Sequence, residues 1–122
     1  MKTLLSILFL SIITLSTFAQ NKAQEIVKSN LNVVKTYLDL CEQKEKTNQS
    51  FTVSMDEPAK SAMFLQKITN IKCDTDQQFD ELVTPSRKNF KDWNRWYKRN
   101  KDVLYWDENS KTVMVKNSKV AK

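Results

Sequence analysis

The 122-residue chain contains no glycine and no histidine, and it carries 20 Lys+Arg against 14 Asp+Glu for a formal charge of +6. Glycine-rich phosphate loops, dinucleotide fingerprints and nucleophile elbows need backbone conformations that only glycine supplies, so the composition excludes them. Without histidine, Ser-His-Asp and Cys-His catalysis and histidine-ligated zinc or haem are excluded as well.

Met1-Lys2-Thr3 is a short positive start, and the apolar stretch from Leu4 to Phe18 is interrupted only by Ser and Thr. Thr17 and Ala19 then place small residues at the minus-three and minus-one positions. The pattern predicts a signal peptide over residues 1–19, cleaved before Gln20, and hence a periplasmic or secreted protein. Fifteen apolar residues fall short of the roughly 20 that span a bilayer, so no transmembrane anchor is expected once the leader is removed. The first cysteine is Cys41, too far along for lipid attachment at the leader. Residues 20–116 are expected to form a single small helical domain, followed by a basic tail over 117–122.

In the exported domain, Val27, Leu31, Val34, Leu38 and Cys41 recur at spacings of four and three, which predicts a long amphipathic helix over about 23–46. Ser54-Met55-Asp56-Glu57-Pro58 reads as a Ser-x-x-Glu capping box opening a second helix to about Thr69, with Ala59, Ala62, Met63, Leu65 and Ile68 on its buried side. Asn70 suits a left-handed cap. Phe79, Leu82 and Val83 suggest a short turn packed on the core. Thr84-Pro85 reads as an N-cap and first helical residue of a third helix reaching about Asp102. Val103–Trp106 and Thr112–Val115 have strand composition, which predicts a terminal β-hairpin with Asn109 in the left-handed turn position. The fold class is therefore mainly α, a three-to-four-helix domain with a C-terminal β-hairpin.

Two cysteines in an exported chain are compatible with a Cys41–Cys73 disulfide, which would close a loop worth roughly 3.5 to 4 kcal/mol in the chain-entropy model. Two buried thiols account for them equally well, since Cys41 continues an apolar face. The acidic run from Asp74 to Glu81 has the alternation of a calcium loop, but Phe79 stands where the sharp turn needs glycine and Pro85 where a bidentate glutamate belongs. It reads as a solvated acidic loop. No metal, cofactor or catalytic residue is expected: Asp92, Asp102, Asp107 and Glu108 are explained by surface ion pairs, and nothing in the sequence sets two of them across a cleft.

The third helix carries the functional signal. At 100° per residue Phe90, Trp93, Tyr97, Asn100 and Leu104 share one side, with Trp96 at its margin, while Arg87, Lys91, Arg95, Lys98 and Lys101 lie opposite. The aromatic stripe reads as the core anchor. From Ser86 onward there are 11 Lys+Arg against 4 Asp+Glu, whereas Gln20 to Pro85 holds 8 against 10. Such a basic face attracts an anionic partner. Nucleic acid is disfavoured by the leader and because the aromatics cannot interleave with the cations.

The segment Trp93-x-x-Trp96-Tyr97-x-x-Asn100-Lys101-x-x-Leu104-Tyr105-Trp106-Asp107, with Phe64-Leu65-x-x-Ile68-Thr69-x-Ile71 before it, resembles uncharacterised exported proteins of Bacteroidota-type bacteria. It is also similar to endings found beside bacterial HEAT-like helical repeats, although the chain shows no repeat of its own. The resemblance spans about Ala59 to Asp107 and implies an exported helical module without implying an activity; in the relatives the Asn70 position is typically glycine. The expected function is a non-catalytic interaction or accessory protein that binds an unidentified protein or an anionic envelope component through Arg87, Lys91, Arg95, Trp96 and Lys98. The alternatives are a small-ligand carrier with a pocket among the aromatics and, further off, an enzyme.

Overall fold

The computed structural model describes residues 2–74 and 83–116, with side chains described from Thr17 onward. Among these residues there are three α-helices, α1 (Lys2–Thr47), α2 (Asp56–Thr69) and α3 (Arg87–Asn100), then a 3-10 turn over Lys101–Val103 and two strands, β1 (Leu104–Asp107) and β2 (Thr112–Val115). The fold is mainly helical with a C-terminal antiparallel hairpin, as the periodicity predicts. α1 starts much earlier than the predicted residue 23, because no proline or glycine interrupts Lys2 to Thr47 and nothing local stops helix propagation. It ends at Asn48, whose φ of 50° turns the chain into the left-handed region that asparagine tolerates. Among the described residues no helix is long and apolar enough to cross a membrane.

The chain divides into two compact units. The larger comprises Val27–Arg99 and holds most of the core: Val27, Leu31, Val34 and Leu38 from α1, Ala59, Ala62 and Leu65 from α2, Val83, and Trp93 and Tyr97 from α3. The α1 stripe is the predicted one. On α2 the inward arc runs through Pro58, Ala59, Ser61, Ala62, Leu65 and Thr69, which turns Met63 outward to 55% exposure against expectation. The predicted turn at 79–83 lies outside the described residues except for Val83, which is buried.

Both helix starts in this unit differ from the sequence reading. At α2 the N-cap is Met55 in a helical conformation and makes no side-chain cap bond, so the Ser54–Glu57 box does not form. Ala59 N–H reaches the Met55 carbonyl at 2.9 Å instead, and Asp56 and Glu57 stabilise the first turn through the helix dipole. At α3 the cap is Ser86, not Thr84. Asn89 N–H donates to Ser86 Oγ at 3.1 Å, and Ser86 N–H donates to Asn89 Oδ1 at 2.9 Å, a reciprocal box closed by asparagine in place of glutamate. Asn89 is fully buried, and Ser86 Oγ also donates to its Oδ1 at 2.8 Å. At the end of α2, Asn70 adopts φ 60° and its N–H returns to the Gln66 carbonyl, as predicted.

The smaller unit joins the first part of α1, up to Ile26, to the chain from Asn100 onward. Its buried apolar residues are Ala23, Leu104 and Val113. The hairpin pairs Leu104 with Val115 and Asp107 with Thr112, and Lys116 N–H extends the ladder to the Val103 carbonyl at 2.8 Å. In its turn Asp107 Oδ2 accepts from Ser110 Oγ at 2.6 Å and from Ser110 N–H at 3.2 Å. The left-handed residue is Lys111, at φ 53°, and not Asn109: in this four-residue loop the reversal falls at the position that re-enters the strand. Gln20 Nε2 donates to the Asp102 carbonyl at 3.2 Å and Gln24 Nε2 to the Lys101 carbonyl at 2.9 Å. Lys22 lies over the Trp106 ring at 4.2 Å. The Trp106 N–H is buried and meets no acceptor in good geometry, although the Glu108 carboxylate is near enough for the indole to lower its pKa.

Candidate partner-binding surface

In the larger unit the residues on opposite sides of α3 have different fates. Trp93 is fully buried and its indole N–H donates to the Ile71 carbonyl at 2.9 Å. Tyr97 is buried beside it, while Phe90 and Trp96 are half-buried. The sequence placed an alternative ligand pocket among these aromatics; Trp93 is packed in the core, whereas Phe90 and Tyr97 line a groove on its α1 side.

The five predicted partner-binding residues are not equivalent. Arg87 turns toward α1, donating from Nη2 to Asp39 Oδ1 at 2.9 Å and to Glu42 Oε1 at 2.7 Å, and from Nε to Glu42 Oε1 at 3.1 Å. These contacts raise the Arg87 pKa, Glu42 contributing most, and the side chain is a helix-to-helix tie. The reason is positional: it stands at the start of α3 opposite two acids on successive turns of α1. Lys91, Arg95 and Lys98 are exposed. Arg95 approaches Asp92 at 3.8 Å, and Asp92 also accepts from Lys88 at 3.2 Å, the surface pairing expected of that carboxylate. Lys91 and Lys98 have no ion-pair partner among the described residues. Trp96 is two residues before Lys98, which at 100° per residue puts it about 160° away around the helix. Trp96 and Lys98 therefore flank opposite sides of α3 and do not form one patch.

Sequence reasoning missed what faces Lys98. A groove of about 250 Å³ between α1 and α3 is lined by Lys28, Leu31, Asn32 and Lys35 and by Phe90, Asn94, Tyr97 and Lys98. Lys35 donates to Asp39 Oδ2 at 2.8 Å, and that carboxyl, facing Lys35 and Arg87, is held below the usual range. Lys28, like Lys98, has no ion-pair partner among the described residues. The α1 lysines appear in the sequence as the polar face of an amphipathic helix; only the pairing of α1 with α3 brings them beside Lys98. A second groove, of about 390 Å³, runs along the other flank of α1 and is lined by Val33, Tyr37, Leu40, Phe51, Val53 and Pro58 among others. Burial, with a hydrogen bond to Cys41, pushes the Tyr37 phenol up to about 12.

Cys41 and Cys73 are both free and half-buried, so the disulfide reading gives way to the thiol reading. Cys73 follows the cap of α2, its N–H held by Gln66 Oε1 at 2.7 Å. Burial pushes its thiol up to about 11. Of the acidic run, Asp74 is described and sits 3.8 Å from Lys88; the rest lies outside the described residues. Among the described residues no group of three or more Cys, Asp or Glu is arranged to hold a metal ion. Asp107, half-buried at the end of β1, and Glu108, exposed in the turn, are held below their usual values by Ser110 and by Lys111 respectively.

Fold and surface together define a small, mainly helical module with Trp93 packed in its core, a basic helix face and open grooves along α1. No family model matches the chain, and comparison with curated proteins and with solved structures finds no significant match.

Proposed function

We propose that this is a non-catalytic exported interaction protein that binds an anionic partner through the basic face of α3. The observation that carries the reading is the pair of exposed cations Lys91 and Lys98, which no acid of the described chain neutralises, on a helix whose opposite side is the core. A solvated face with unpaired cations attracts anions by long-range electrostatics. Export follows from the leader-like residues 1–19 and places the protein in the periplasm or outside the cell, in keeping with its resemblance to exported Bacteroidota-type proteins. The mature chain then begins at Gln20, whose side chain is hydrogen-bonded in the smaller unit. A photo-crosslinking residue at Lys91 is expected to capture an envelope component that the same probe at Met63, on exposed α2 surface, does not; equal capture from both positions would refute the assignment. N-terminal mass spectrometry of the exported protein is expected to begin at Gln20. A small-ligand carrier is the second reading, and the observation in its favour is the apolar groove beside Tyr37 and Phe51.

A further inference from the structure

The groove between α1 and α3 combines three features. Its floor is apolar, made by Leu31, Phe90 and Tyr97. Its rim carries three lysines, Lys28 and Lys35 from α1 and Lys98 from α3, of which only Lys35 is paired with an acid among the described residues. Its volume of about 250 Å³ suits one large side chain rather than an extended acyl chain. A membrane surface is a poor match, because insertion into lipid needs apolar side chains that project outward, whereas this floor is recessed between two helices. A floor of buried Leu31 and Tyr97 with half-buried Phe90, beside two lysines without an ion-pair partner among the described residues, instead fits a projecting apolar residue flanked by acids, the arrangement in which a buried anchor supplies affinity and surrounding charge supplies steering.

We infer that this groove is a docking site for an acidic peptide segment of a protein partner, with one large apolar side chain seated against Phe90 and Tyr97 and its flanking carboxylates on Lys28 and Lys98. The inference rests on the proposed basic-face function and narrows it: Lys91 and Arg95 attract the partner at a distance, and the groove holds it. Arg87 takes no part, since it is occupied by Asp39 and Glu42. Asp39, which pairs with Lys35 at the groove, has its charge met by Lys35 and Arg87, and no ion pair among the described residues engages Lys28 or Lys98, which leaves the rim positive.

The test is a titration of the ¹⁵N-labelled full chain, followed by NMR, with synthetic peptides carrying a central Phe, Leu or Ala flanked on each side by two Glu or by two Gln, and with vesicles of phosphatidylglycerol. Binding of the Glu-flanked Phe and Leu peptides is expected, with shifts centred on Leu31, Phe90, Asn94 and Tyr97 amides. Replacing the central residue by Ala should weaken binding about tenfold, as truncation of an anchor does. The double variant Lys28→Glu/Lys98→Glu should weaken it at least as much, whereas Lys91→Glu/Arg95→Glu should cost no more than about threefold, as expected for steering charges outside the contact. Acidic peptides that bind equally with a central Ala, or that are lost chiefly in Lys91→Glu/Arg95→Glu, would overturn the groove while leaving the basic face in place. Binding to vesicles with no response to any acidic peptide would overturn it in favour of a lipid surface, and no response to any anionic probe would overturn both readings.

Discussion

Replacing Trp93 by Phe removes a donor and part of a ring from a site with no solvent access. The indole N–H to Ile71 carbonyl bond, 2.9 Å long, is worth about 1 kcal/mol net, and leaving that carbonyl without its partner raises the cost to about 1–3 kcal/mol. Loss of the second ring adds unfilled volume, so about 2–3 kcal/mol is expected for Trp93→Phe and about 3–5 kcal/mol for Trp93→Ala. For a domain of this size each kcal/mol lowers the melting temperature by roughly 4–8 °C. Urea unfolding followed by far-UV circular dichroism reads the change without relying on the altered fluorophore, and the midpoint should fall at an unchanged slope. Trp96→Phe is the control: its ring is half-buried, and the cost should be less than half as large. Equal costs for Trp93→Phe and Trp96→Phe would refute the assignment of Trp93 as the core anchor.

Asn89→Ala breaks the reciprocal cap with Ser86 inside a buried site and should destabilise by about 2 kcal/mol, read by thermal unfolding; an unchanged melting temperature would refute the cap. Lys111→Gly relieves a left-handed residue with a Cβ and should stabilise by about 0.5–1 kcal/mol, and a lowered melting temperature would show that the turn is wrongly described. Cys73 in a Cys41→Ser background should react with iodoacetamide at pH 8 about 100-fold more slowly in the folded protein than in urea, because a thiol raised from 9 to about 11 exposes that much less thiolate. The same shift makes stability constant below pH 9 and declining as pH rises toward 11, since the unfolded chain ionises first. Asp39 and Glu108 act in the opposite sense. Their folded pKa values lie below the ordinary 3.8 and 4.5, so their contribution is complete above those values and is lost on further acidification; an acid titration of the melting temperature in Arg87→Ala should show a shallower fall than in the parent.

Much of the architecture was legible because it rests on local signals. The four-and-three spacing of Val27, Leu31, Val34 and Leu38 marks a buried helix face whatever it packs against, and an asparagine at the end of α2 signals a left-handed stop. Caps were less legible: the local pattern favours Ser54-x-x-Glu57 and Thr84-Pro85, yet α2 opens without a side-chain cap bond and α3 is capped by Ser86, closed by an Asn89 that tertiary packing buries. The basic face was visible as charge, but its division was not. Arg87 is withdrawn from it by Asp39 and Glu42 and Lys28 is added to it by α1, neighbours 45 or more positions away in the chain that no local pattern reveals.

The most direct test of the central claim is quantitative capture from native envelope extract by the parent chain and by Lys91→Glu/Arg95→Glu/Lys98→Glu, after matched melting temperatures show that both are folded. An anionic partner recovered by the parent and lost at least tenfold in the variant, with the parent complex weakening as salt is raised, is the predicted result. Equal recovery by the two proteins would contradict it.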